Sequence, residues 1–566
     1  MAERSLQGVG VSPGVVVGPV AVMAGEVPEP PPAPPAAGAV AGELATEAEA
    51  RAAAAALEAV ASDLEAAGLA VGGEVREVLE AQAMMARDPG LAGSVERLVG
   101  QGRSAARAVW EAFGTYREAL AGAGEYMAAR VADLDDLRDR AVARLSGLPA
   151  PGVPDPGHPF VLAAEDLAPA DTAALDRRKV LAFVTEQGGP TSHTAILARA
   201  LGVPAVVGCG GAVGLADGVT VIVDGTTGVV RVAPAAAEVA EAERRAGARR
   251  AARSAPSGPG ATADGHRIDL LANVGGPRDV PAALAAGAEG VGLFRTEFLF
   301  LDRADPPAPD EQQSAYAEVF EAFPGGKVVV RTLDAGADKP LAFLNLRDEP
   351  NPALGQRGLR ALRRAPEVLA AQLEAVGRAA AASRASVWVM APMVASAAEA
   401  AWFREQARRQ PVDRVGVMIE IPAAALSAGA VLAEADFASI GTNDLAQYTF
   451  AADREVSALA PFQDPWQPVL LELVARVGEA GRAAGKPVGV CGEAAGDPLL
   501  ALVLVGLGVT SLSMGPAALA DVRLLLARHT LAECRTLAER VLAAPDPETA
   551  RTSVRSLANG LDDLGL

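Results

Sequence analysis

Cysteine, histidine, aromatic side chains and positive charge are all scarce in this 566-residue sequence, and each shortage excludes something. The three cysteines, Cys209, Cys491 and Cys534, stand far apart without metal-ligand spacing, which argues against a disulfide framework and fits a reducing cytoplasm. Lys plus Arg number 50 against 70 Asp plus Glu, a formal charge of −20. Neither nucleic acid nor an anionic membrane surface is therefore an expected partner, and any anionic substrate has to meet a local basic pocket. With aromatics at 4%, the cores must be built mostly from Ala, Val and Leu. Residues 1–25 show no basic segment followed by an apolar core and cleavage site, so no secretory leader is expected. Pro498 to Ala520 carries no charge and by length would permit a membrane span, but Gly506, Gly508, Gly515 and Pro516 break it into a helix, a turn and a short strand. No direct membrane insertion is expected.

Of the four histidines, one lies in a chemically suggestive setting. The run Lys179 to Val184 reads as a strand, Gly188-Gly189-Pro190-Thr191-Ser192 as a loop, and Ala195 to Leu201 as a short helix with an apolar face. His193 thus falls on a glycine-rich loop at a helix start, where free N–H groups and the helix dipole favour an anion. An imidazole that is neutral near pH 7 can attack phosphorus there. A histidine that only caps a helix is the plainer alternative.

Length suits two to four domains. Residues 7–23 read as two strands around Gly and Pro turns, and Pro28 to Pro35 as an exposed linker. Helical spacing then runs to about residue 148, with Ala106, Val109, Trp110, Phe113 and Leu120 on one face. Strand signals return at 160–162, 180–184, 205–207, 219–223 and 229–232. Ala233 to Arg253 reads as a charged helix leading to a linker. From residue 267, apolar runs end at Asn273, Arg295, Arg331, Met393, Glu420, Asn443, Cys491 and Met514, with helical stretches after most of them. Eight alternations suit a (β/α)8 barrel whose site lies where the strands end. Arg295, Arg331 and, from the long segment after the third strand, Arg357 suit a ligand bearing phosphate and carboxylate, with surface ion pairing as the alternative for each. Glu420 and Asp444 end adjacent strands and offer hard oxygens of the kind Mg2+ uses; helix capping is the alternative for Asp444.

The run Gly-Gly-x-Thr-Ser-His-Thr-Ala-Ile-x-Ala-Arg, with Leu201 to Gly208, resembles the phosphohistidine domain of enzymes that exchange phosphate with phosphoenolpyruvate. Phe294-Arg295-Thr296-Glu297, Arg331-Thr332-Leu333-Asp334, Asn351 to Arg357, Val417 to Ala425, Ser439 to Tyr448 and Val490 to Asp497 extend that resemblance, in order, to Enzyme I of the phosphoenolpyruvate:sugar phosphotransferase system. The resemblance implies a swivelling α/β phosphohistidine domain (1–27 and 149–232) and an inserted all-α subdomain that docks the carrier HPr (28–148). A helical linker (233–263) and a TIM-type (β/α)8 barrel (264–566) that binds phosphoenolpyruvate and forms a homodimer would follow. It implies His193 as phosphoacceptor, steadied by Thr172, and Cys491 as the acid that protonates the enolate. Arg295 and Arg331 would hold the phosphoryl group, Asn443 and Arg454 substrate oxygens, and Glu420 and Asp444 Mg2+, with Arg357 and Lys339 on family motif positions. The sequence departs from the family at Glu455-Val456, where Gly-Asn is usual, and in the loop through Trp466. A phosphoenolpyruvate synthase or dikinase would need a nucleotide domain that this length leaves no room for. A Mg2+-dependent lyase built on the same barrel would need no phosphohistidine, and a catalytically silent regulator would only bind a phosphocarrier; both compete with the phosphotransferase reading.

Overall fold

The computed structural model describes residues 4–23, 27–32, 42–71, 82–121, 131–148, 151–167, 175, 178–189, 192–254, 258–301, 303, 305–335, 341, 343, 344, 349, 351–454 and 456–561. Thr172 and Lys339, expected near the chemistry, lie outside them.

A first strand, β1 (Arg4–Gln7), precedes the two expected over residues 7–23, which are β2 (Val9–Ser12) and β3 (Val15–Val22). Gly8 separates β1 from β2. A Cβ there would stand 2.6 Å from Val207 O, so glycine lets the chain pass close to its neighbour and send β1 and β2 to opposite edges of one sheet. With β4 (Phe160–Ala164), β5 (Val180–Thr185), β6 (Ala205–Val207), β7 (Thr220–Asp224) and β8 (Val229–Val232), the order is β1-β8-β7-β3-β4-β5-β6-β2. β3, β4, β5 and β6 are mutually parallel, and β2 and β7 run antiparallel to their neighbours β6 and β3. Among the described residues, the helices Gly42–Val71, Pro89–Gly100, Ala105–Ala121 and Val131–Ser146 are inserted between β3 and β4 and share their own core of Leu57, Val60, Val95, Val109, Phe113 and Leu137.

The helix Ala236–Ser254 leads to the second half. There β9 (Asp269–Val274), β10 (Gly290–Arg295), β11 (Lys327–Arg331), β12 (Ser386–Ala391), β13 (Arg414–Ile419), β14 (Ala438–Ile440), β15 (Val488–Val490) and β16 (Ser511–Met514) close into an all-parallel barrel, β16 pairing with β9. Leu293, Val329, Met390, Met418, Phe437 and Cys491 fill its interior. A larger cluster, including Phe294, Tyr316, Trp466 and Leu500, seals strands to helices. Each such wholly buried side chain contributes about 1.5–3 kcal/mol relative to an exposed one. The uncharged stretch from Pro498 is the buried helix Pro498–Gly506 followed by β16, and no described helix is long and apolar enough to cross a membrane.

Candidate functional site at the barrel mouth

His193 is the first residue of the helix His193–Leu201. Ser192 caps that helix, its Oγ accepting from Ala195 N at 3.3 Å, and Gly202 ends it in a left-handed turn. Ala195 and Ala198 are wholly buried in the cluster that holds Phe183 and Leu162, so small side chains set the helix close on its sheet. The N-terminal end of the helix, with Ser192, and the residues Gly188 and Gly189 line a cleft of about 3190 Å3. Gly188, Gly189 and Ser192 line one side of this cleft, and Arg295, Arg331 and Cys491 the other.

Arg295 ends β10 and has no hydrogen-bond or ion-pair partner among the described residues. Its side chain lines the cleft. Enclosure by the cleft walls, and next the charge of Arg331, lowers its pKa, the signature of a cation that an anion would relieve. Arg331, at the end of β11, reaches Glu297 at 3.0 Å and Asp334 at 3.1 Å, while its buried Nε has no partner. The two acids hold the guanidinium in place and leave a donor unmatched.

The carboxylates come from loops just past strand ends. Glu420, 1% exposed, follows β13 and accepts from Met393 N at 2.7 Å; Met393 itself has a positive φ of 56°, a strained conformation after β12. Asp444 follows β14 in the first turn of the helix Thr442–Phe450 and receives Arg357 on both oxygens, at 2.8 and 3.3 Å. Arg357 is 4% exposed and also grips Asp334 at 3.1 Å and Tyr448 Oη at 3.2 Å. Burial lowers its pKa, but Asp334 and Asp444 more than reverse this. The adjoining Gly358 has φ +56°, and a Cβ on it would press within 2.8 Å of Met393, so this turn is closed to other residues. Arg357, expected as a ligand of substrate, lines the cleft and is paired with both Asp334 and Asp444.

Burial, and then the negative charge of Asp444 and Asp334, pushes the Glu420 carboxyl up to about 8. A bound dication would reverse that shift, so the pair fits Mg2+. Among the described residues no three acid, His or Cys side chains gather to hold a metal by themselves. A two-carboxylate set suits Mg2+, which retains water and substrate oxygens in its shell.

Asn443 accepts Glu493 N on Oδ1 at 3.1 Å, tying the seventh strand end to the sixth. Arg454 donates its N–H to Gln447 Oε1 at 3.2 Å, and its guanidinium lies 3.8 Å from Asp444. Of the residues that depart from the family pattern, Glu455 lies outside the described residues, while Trp466 is wholly buried and donates to Asp497 Oδ2 at 2.9 Å. Cys491 follows β15, faces the barrel interior, and its Sγ stands 3.6 Å from Ile440 O. Burial raises its pKa to about 11, outweighing the Ser439 hydrogen bond and the arginines, so the thiol is protonated at neutral pH. The sequence could not decide that sign. Nor did it single out Glu297, Asp334 or Met393; the only signal was an acid two or three residues after each arginine.

Three family models match the chain in sequence: PEP-utilising enzyme, N-terminal, over 7–130; PEP-utilising enzyme, mobile domain, over 156–228; and PEP-utilising enzyme, PEP-binding domain, over 249–531. A phosphoenolpyruvate-protein phosphotransferase of Streptomyces coelicolor is 58% identical, covering 99% of this chain and 100% of its own. One of Haloferax volcanii is 41% identical over 96% of this chain and 98% of its own. A multiphosphoryl transfer protein of Xanthomonas campestris is 39% identical over 97% of this chain and 67% of its own.

Proposed function

The chain belongs to the phosphoenolpyruvate-protein phosphotransferase family, Enzyme I, and from that premise we propose that the cleft is where phosphoenolpyruvate gives its phosphoryl group to His193. The observation that carries this reading is a single cleft bounded by the N-terminus of the histidine helix on one side and by Arg295 and Arg331 on the other. Those arginines would hold the phosphoryl oxygens, with Asn443 and Arg454 on the remaining oxygens of the substrate. Glu420 and Asp444, the latter braced by Arg357, would hold Mg2+, which supplies positive charge against the substrate's anionic oxygens.

An imidazole nitrogen of His193 forms its bond to phosphorus as the bond to the enol oxygen breaks. The enolate left behind takes a proton at its methylene carbon from the Cys491 thiol, giving pyruvate, and the thiolate recovers a proton from solvent. His193 then passes the phosphoryl group to a histidine of HPr, docked on the helical insert, and is regenerated. This is the first step of the sugar phosphotransferase system, placed in the cytoplasm. On the family's example the barrel would also form a homodimer, which light scattering checks. Incubation with labelled phosphoenolpyruvate and Mg2+, without nucleotide, tests the reading: acid-labile, base-stable label on His193 is expected. Its absence from a folded protein would overturn the proposal.

A further inference from the structure

Among the described residues, the half of the molecule that carries His193 touches the barrel through charge at Arg199 and at the end of the linker helix. Arg199, in the last turn of the histidine helix, pairs through Nη2 with Glu493, two residues beyond Cys491. Its Nη1 donates to Val11 O at 3.4 Å, which anchors it in its own sheet, while Glu493 is tied through its N–H to Asn443. The second place is the linker helix. Its first half is fixed to the sheet, Ala242 packing with Val15 and Ile222 and Arg245 pairing with Asp224 at 3.0 Å. Its last turns present Arg249 and Arg253, four residues apart and so on one face. Both converge on Asp521 of the barrel helix Leu519–Leu526, Arg249 through Nη2 and Arg253 through Nε and Nη2, each of these two at 2.7 Å. Arg253 also donates to Ala517 O at 3.2 Å, and the Asp521 side chain is only 4% exposed. Close by, a Cβ on Gly202 would lie 3.0 Å from the Ala517 Cβ, so the left-handed end of the histidine helix rests against the turn that precedes Asp521.

Contacts of this kind are two-state. When the halves part, every charge regains water; when they dock, Asp521 and Arg249 are buried and need each other, so deleting one penalises the docked state alone, while the half-buried Arg199–Glu493 pair adds a smaller bias in the same direction. A surface pair would not discriminate in this way, because it is hydrated in both states.

We propose that the Arg199–Glu493 pair and the Arg249–Asp521–Arg253 triad are two ionic latches that dock the phosphohistidine domain on the barrel mouth. They are positioning residues for phosphoryl transfer from phosphoenolpyruvate and not for transfer between His193 and HPr, which takes place away from the barrel. This rests on the reading of His193 as phosphoacceptor.

The test uses the full chain with Asp521→Asn, which keeps the shape and removes the charge, and Asp521→Glu, which restores it. Two single-turnover rates are measured, phosphorylation of His193 by phosphoenolpyruvate and by phosphorylated HPr, together with interdomain energy transfer between one dye on each half. For Asp521→Asn the expected result is a loss of about tenfold or more in the first rate, the second within about twofold of the unsubstituted protein, and a fall in the docked fraction. Asp521→Glu should recover most of the first rate. Equal losses in both rates would mean a general structural role and overturn the latch, as would an unchanged docked fraction. If the unsubstituted protein takes no label from phosphoenolpyruvate, the functional reading fails, and the energy transfer still judges the latch.

Discussion

The two halves of the molecule assemble their functional groups in opposite ways. In the sheet domain one contiguous run, Gly188 to Arg199, supplies the loop, the capping serine, the histidine and the small residues that seat the helix. In the barrel, Arg295, Arg331, Glu420, Asp444 and Cys491 come from five strand ends spread over almost two hundred residues and meet only because the barrel closes. On the proposed function the nucleophile serves two partners in turn, which suits a self-contained unit. An anion pocket must be rigid, and a closed barrel supplies rigidity by fixing each strand end against its neighbours.

The hardest test of this division is His193→Ala. It should abolish phosphoenzyme formation while the barrel still binds phosphoenolpyruvate with Mg2+ by calorimetry; lost binding in a folded protein would break the division. Next, a fragment ending near residue 250 should accept phosphate from phosphorylated HPr and none from phosphoenolpyruvate. Direct labelling of that fragment would show that the sheet domain does not need the barrel.

Cys491→Ala, in the barrel half alone, should reduce steady-state turnover roughly a hundredfold, the scale of a lost general acid. It should also abolish stereospecific deuterium incorporation at the methyl carbon in heavy water; retention of both would give the proton to another donor. Arg357→Met would leave Asp334 and Asp444 buried without their shared cation and should destabilise the barrel by about 3 kcal/mol in denaturant titration, leaving HPr-dependent phosphorylation of His193 intact. The smallest effect concerns pH. The acid form of Cys491 is the useful one, and its pKa is pushed up to about 11, so the protonation step should stay nearly flat from neutrality through the range where an ordinary thiol ionises. A fall centred near ~8.5 would mean the thiol is not buried during turnover.

Legibility followed the same divide. The histidine loop, the alternation of strands and helices, and the eight strand ends could be read from local pattern, since the periods of strands and helices and the punctuation by Gly and Pro are properties of neighbouring residues. The strand Arg4–Gln7 escaped notice because its few apolar residues carry no alternation of their own and its pairing is with Val229–Val232, far along the chain. Glu297 and Asp334 escaped for a similar reason: an acid after a strand reads the same whether it faces water or a buried guanidinium.

By itself, then, the sequence determined the two-part architecture, the setting of His193 at a helix start and the chemical types available at the barrel's strand ends. Tertiary structure alone decided which of those types are free and which are committed. It left Arg295 open to the cleft, paired Arg357 with Asp444 at the cleft wall, and closed Asp521 between two arginines of another element. It also settled the protonation of Cys491, because desolvation depends on what surrounds a thiol in space and leaves no trace in the residues beside it in the chain.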